Sequence, residues 1–114
     1  MGSRENEGGV PMDKETAIAR VKQYAAVVRQ DFPVKKVILY GSHARGKARG
    51  DSDIDVVIVV PRVEGDLSLL EAKLFKLRRD IEPMIETVLL EEDNDPSGFL
   101  AEIMKTGEII YSGD

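Results

Sequence analysis

The chain has 114 residues, 21 acidic and 16 basic side chains for a net charge of −5, no Cys, no Trp and one His. That length suits one domain that buries roughly two-thirds of its unfolded surface. The lack of Cys excludes a thiol nucleophile, a disulfide framework and a zinc-finger set, and a single His excludes a multi-histidine metal site.

What stays abundant is carboxylate and hydroxyl, the groups used by hard-cation and phosphate chemistry. The acidic excess argues against long nucleic acid as a substrate, since only His43–Gly50, with Arg45, Lys47 and Arg49, is locally basic. The longest apolar run, Val56–Val60, is five residues, against about 20 for a membrane-spanning helix. Met1–Gly9 is polar and shows no secretory pattern, and with the absence of Cys this points to a cytoplasmic protein.

Met1–Pro11 (MGSRENEGGVP) is expected to be a disordered lead-in, with residues 12–114 as the single domain. Asp13 can cap a helix that runs to about Gln30, with Ile18, Val21, Ala25 and Val28 at helical spacing and Tyr24 beside them. Pro33 breaks the pattern, and Val34–Tyr40 (VKKVILY) is a strand. Gly41-Ser42 ends it, Ser42–Lys47 can form a short helix, and Gly50-Asp51-Ser52 is a turn signal. Ile54–Val60 (IDVVIVV) is a second strand, apolar on both faces beyond Asp55, which suits a central strand covered on both sides. Pro61 stops it.

Leu67–Arg79 is a second long helix whose Leu67, Leu70, Leu74 and Leu77 form one stripe toward the sheet. Ile85–Leu90 is a third strand. The acidic loop Glu91–Gly98 is solvated charge or a face for a basic partner. Gly98–Lys105 is a short helix with Leu100, Ile103 and Met104 apolar, Gly107 is its stop, and Glu108–Tyr111 adds an edge strand. The alternation gives an α/β (α+β) domain, a small mixed sheet flanked by helices.

Chemistry concentrates in Ile38–Val60 (ILYGSHARGKARGDSDIDVVIVV). Glycine at a strand end lets backbone approach a ligand closely, and a serine at a helix start can cap it or share its N–H groups with a phosphate. Gly-Ser is also a common turn. Asp53 and Asp55 point to one face of a strand, about 7 Å apart at Cα, and a divalent cation could draw an oxygen from each. They could equally be solvated charges at a strand edge. Asp55 opens an otherwise apolar strand, where an unpartnered carboxylate is costly.

Gly41-Ser42 ends strand one and Asp53-x-Asp55 starts strand two, so the two pieces meet only if those strands run antiparallel. A third carboxylate on that rim would come from the start of strand three, where Glu86 lies. Strand three would then run parallel to strand two through a crossover helix.

GSHARGKARGDSDID resembles the signature of the DNA polymerase β-like nucleotidyltransferase superfamily. It is most similar to the minimal nucleotidyltransferases that pair with HEPN-domain proteins. Gly41-Ser42, ten residues, then Asp53-Ile54-Asp55 match that group, with Ala44-Arg45-Gly46 and Ser52 supporting the match. The tail Gly98–Tyr111 also looks like the group's closing helix and strand, so the resemblance spans most of the chain after Asp13.

The resemblance implies the nucleotidyltransferase fold and transfer of a nucleoside monophosphate, AMP from ATP, to a hydroxyl with two Mg²⁺ ions. It implies that Gly41 and Ser42 hold phosphates and that Asp53 and Asp55 ligate both metals. A third carboxylate would bind the catalytic metal and help deprotonate the acceptor. Glu86 fits that role; Glu82 competes, although Pro83 belongs at a strand's beginning or edge. Arg45, one turn after Ser42, could point at triphosphate. Lys47, Arg49 and Arg62 read as solvated charges, His43 as surface, and Tyr24, Tyr40 and Tyr111 as packing on the sheet. The implied partner is a HEPN-domain toxin, adenylylated on a tyrosine, with a homodimer or a hetero-oligomer both open.

Two other readings compete. Gly41–Ala48 nearly spells a kinase-type phosphate loop but ends in Ala48, which offers no hydroxyl to Mg²⁺. The chain could also be a non-catalytic, nucleotide-binding antitoxin subunit that acts by covering its partner.

Overall fold

The computed structural model describes residues 13–48 and 52–113. The lead-in Met1–Pro11, Arg49, and Gly50 and Asp51 of the expected turn lie outside these residues. In chain order the elements are α1 (Lys14–Asp31), β1 (Lys36–Tyr40), α2 (Gly41–Ala44), β2 (Ile54–Val60), α3 (Leu67–Leu77), β3 (Ile85–Glu91), α4 (Phe99–Thr106) and β4 (Glu108–Ser112).

The four strands form one mixed sheet in the order β3-β2-β1-β4. β1 is antiparallel to β2 and β4, while β2 and β3 run parallel. Parallel pairing needs a crossover, and α3 supplies it. β2 is central, and all of its residues except Asp55 are buried.

The two sheet faces are covered unequally. Ile54, Val56, Ile58 and Val60 share one face with Val37, Leu39, Ile85 and Leu89, beneath Ala17, Val21, Tyr24, Ala25 and Val28 of α1 and Leu74 of α3. On the other face Ile38, Val57 and Val59 meet Leu100 and Ile103 of α4. Successive strand side chains alternate between faces, so Asp55 lies on the α4 side with Val57 and Val59.

Helix starts follow local chemistry. Asp13 caps α1 by accepting from Thr16 N–H at 2.8 Å, and Asp66 caps α3 by accepting from Ser68 N–H at 2.9 Å. α4 is preceded by Gly98, which has no side chain to cap it. Asp95 does the work from upstream, its two carboxylate oxygens accepting from Leu100 N–H at 2.9 Å and Ala101 N–H at 3.0 Å. Glu91 accepts from Val63 N–H and from the Asn94 side chain, each at 2.8 Å. The acidic loop is therefore partly structural, contrary to its reading as free charge.

Several boundaries differ from expectation. β1 starts at Lys36, two residues late, because Val34 N–H bonds back to Phe32 O at 2.9 Å. α3 ends at Leu77, and its first leucine, Leu67, is 46% exposed, so the buried stripe is carried by Leu74 with Leu70 and Leu77 half-buried. Gly107 does end α4, at φ −88, a value open to any residue. Space decides that position: a Cβ there would lie 2.8 Å from Ile38 Cγ2 and Leu39 O. Among the described residues no helix is long and apolar enough to cross a membrane.

Candidate active site

β1 ends at Tyr40 and α2 begins at once with Gly41. Gly41 sits at φ +74, a conformation that L side chains rarely adopt. A Cβ on it would approach Asp55 Oδ2 to 2.4 Å. Glycine is thus required twice, by the backbone turn and by the carboxylate beneath it. Ser42 follows, half-buried, as the first side chain of the turn.

The register assembles the carboxylates. Tyr40 pairs with Asp55 across β1 and β2, and Asp55 pairs with Glu86 across β2 and β3. Directly paired residues share a face, so Tyr40, Asp55 and Glu86 stand side by side at one rim. Asp53 lies two residues ahead of Asp55, exposed, just before β2 begins.

Asp55 is half-buried, and its carboxyl is held above the ordinary carboxylate range. Burial is the main cause, followed by the charges of Asp53 and Glu86, with His43 opposing them. Tyr40 is likewise pushed up, by burial and then by Asp55 and Glu86. A half-buried carboxylate with two like charges beside it is destabilising unless it gains a cation or a proton.

The competitor Glu82 is placed differently. It is 8% exposed in the turn before β3, where its carboxylate accepts from Met84 N–H at 3.1 Å. That turn also docks on β2, through Ile54 N–H to Met84 O at 2.9 Å. Glu82 shapes the entry to β3, and Glu86 faces the rim. Arg45 caps α2, with its N–H directed to Gly41 O at 3.2 Å, and its side chain is exposed, as are those of Lys47 and Arg62.

One residue departs from the sequence reading. His43 is 2% exposed, not on the surface, because α2 packs against β2 and turns this side chain inward. Tyr40 packs on the α4 face of the sheet as expected, beside the carboxylates at the rim, and contacts Phe99 of α4 edge-on with ring centroids 5.7 Å apart. The burial of His43 had no local signal: it follows from which strands become neighbours.

The donor set fits a divalent cation by its chemistry. It consists of hard carboxylate oxygens, with Asp55 held above the ordinary carboxylate range, beside a glycine cradle that a Cβ would fill. Side chains would have to rotate to share one ion, since among the described residues no group of three His, Asp or Glu is already disposed to hold a metal. A separate cavity of about 420 Å³ lies at the other end of β2, lined by Phe32, Val60, Arg62, Leu70 and Leu89 among others. Five residues along a strand put it roughly 16 Å from the carboxylate rim.

Residues 22–114 match the family described as Polymerase beta, Nucleotidyltransferase. A Methanocaldococcus jannaschii protein, provisionally named a protein adenylyltransferase, is 30% identical over 104 residues, covering 88% of this chain and 100% of that protein. Among solved structures, a provisionally named nucleotidyltransferase of Sulfolobus solfataricus superposes with a TM-score of 0.64 at 20% identity, over 98% of this chain and 90% of that one. A toxin-antitoxin structure with AMP-PNP gives a TM-score of 0.60 at 16% identity, over 82% of this chain and 74% of that chain. The toxin-antitoxin MntA-HepT gives 0.55 at 15% identity, over 83% and 72%. The mixed sheet with its flanking helices is the fold these structures share.

Proposed function

The chain belongs to the polymerase beta nucleotidyltransferase family, and we propose that it transfers AMP from ATP to a hydroxyl on a partner protein, in the manner of a protein adenylyltransferase. The observation that carries this reading is the alignment of Asp55 with Glu86 at one rim, under a Gly41 too close to Asp55 Oδ2 to bear a side chain.

In the proposed reaction the acceptor oxygen attacks the α-phosphorus of ATP. The bond from that phosphorus to the bridging oxygen breaks, and pyrophosphate leaves. Gly41 and Ser42 bind the phosphates through the turn, where no side chain blocks approach, and Arg45 adds positive charge from the solvent side. Asp53, Asp55 and Glu86 would hold divalent metal, two Mg²⁺ in this reading; when bound, it supplies charge neutralisation at the triphosphate and activation of the acceptor hydroxyl. Glu86, exposed at the rim, is suited to receive the acceptor's proton.

The protein target rests on the name of the Methanocaldococcus jannaschii relative and on the toxin-antitoxin neighbours. A HEPN-type toxin is the proposed partner, and use of cellular ATP suits the cytoplasmic location expected from a Cys-free sequence.

The test is label transfer to the purified partner. Label from α-³²P ATP should appear on the partner in Mg²⁺ and not in EDTA, and label from γ-³²P ATP should not. The Asp53→Ala/Asp55→Ala double variant should transfer none. If that variant neutralised a toxin partner as well as the wild type does, the protein would act by covering its partner.

A further inference from the structure

Among the described residues, His43 is the one buried polar side chain at the site that the proposed reaction leaves unused. It is 2% exposed, on a turn between Ser42 and the capping residue Arg45. Its Nε2 lies 3.4 Å from Ser52 O, and Ser52 immediately precedes Asp53. A carbonyl only accepts, so Nε2 carries the proton in this contact. Nδ1 is buried and has no hydrogen-bond partner among the described residues.

That arrangement is poor as packing. A buried polar atom without a partner costs stability, about 1–3 kcal/mol in general, and Leu or Phe would fill the space without that cost. The imidazole spans the two halves of the site. Its backbone belongs to the turn that starts at Gly41, and its ring reaches the strand entry that carries Asp53 and Asp55.

We propose that His43 is a positioning residue that ties the Gly41-Ser42 turn to the Asp53–Asp55 strand entry through Nε2–H and Ser52 O, holding phosphate-binding backbone and carboxylates at one separation. The inference rests on the transferase reading of the same site. Without the tie the β1–β2 pairing at Tyr40 and Asp55 still holds the strands together, but the Ser52–Asp53 entry loses its side-chain anchor to the turn, and Asp53 spends time in positions that cannot share a metal-bound triphosphate with Gly41-Ser42.

The test compares wild type, His43→Phe and His43→Gln. His43→Phe keeps buried bulk and loses the donor; His43→Gln keeps an N–H donor. Amide exchange over Ser52–Ile54, read by mass spectrometry without nucleotide, should quicken several-fold in His43→Phe and return toward wild type in His43→Gln. Mg·ATP affinity, read by calorimetry, should weaken about tenfold in His43→Phe, a loss of ~1.4 kcal/mol, with partial recovery in His43→Gln. The Tm values should stay within a few degrees of one another. Unchanged exchange and unchanged affinity in His43→Phe would overturn the inference. Losses that track Tm and are not rescued by Gln would also overturn it, leaving a packing role. If His43→Phe does not fold, exchange and affinity in His43→Gln and His43→Ala decide on the same criteria. A wild type that fails to bind Mg·ATP would count against the transferase reading, while the exchange comparison still decides the role of His43.

Discussion

Gly41 and Asp55 constrain each other, and both constraints can be measured. Any side chain at Gly41 must adopt φ +74 and meet Asp55 Oδ2 at 2.4 Å. Gly41→Ala should therefore displace the carboxylate and lower AMP transfer by at least tenfold, checked by the α-label assay. Asp55 itself is a residue kept against stability. Its folded pKa lies above the ordinary 3.8, so the folded chain binds a proton more tightly than the unfolded one. Folding is favoured by this group below pH 3.8, and the advantage is lost as pH rises through the raised folded value. Asp55→Asn should raise Tm at pH 7 while abolishing transfer, and the two proteins should converge in acid. Thermal melts from pH 3 to pH 7 check this, and equal Tm values at pH 7 would count against it.

At the scale of elements, the site depends on α3 bringing β3 back parallel to β2. Tyr24 of α1 holds that crossover. It is fully buried, and its hydroxyl donates to Leu74 O at 2.7 Å, near the end of α3 where helical carbonyls run out of partners. Burial pushes the phenol well above its ordinary value, against the lowering effects of Thr87 and Arg78, and keeps it neutral. Tyr24→Phe should cost about 1–2 kcal/mol of stability without changing the affinity for Mg·ATP; urea unfolding and calorimetry separate the two effects. Gly107 governs the other edge. A Cβ there would press on Ile38 Cγ2 and Leu39 O, so Gly107→Ala should loosen α4 and β4 from β1 and lower Tm. Amide exchange in β4 should rise together with that loss.

At the scale of the molecule, the site lies where three strands meet at one rim, and ligand binding should couple to global stability. Mg·ATP at about 100 times its Kd should stabilise the fold by about 2.7 kcal/mol. The Tm should rise accordingly in wild type and stay fixed in Asp53→Ala/Asp55→Ala. Scanning calorimetry with and without EDTA reads the difference, and an equal rise in both proteins would remove these carboxylates from the binding site.

Most elements were legible along the chain because their signals are local. The β-branched run Ile54–Val60 predicted its strand to the residue, and Asp13 predicted the start of α1. The antiparallel meeting of β1 and β2 followed from bringing Gly41-Ser42 to the start of β2, and the parallel return of β3 from bringing Glu86 to the same rim. One residue escaped: His43 looks like a surface histidine in a polar turn, yet it is buried. What only the tertiary structure decided is register. A one-residue slip of β3 would turn Glu86 to the opposite face, and the sequence alone left Glu86 and Glu82 as alternatives. The observed pairing sets Glu86 beside Asp55 and leaves Glu82 bonded to Met84 N–H in the turn. Residue type and spacing determined which chemistry the chain can offer. Which groups stand within reach of one another is a property of strand pairing and burial, which depend on residues far apart in the chain.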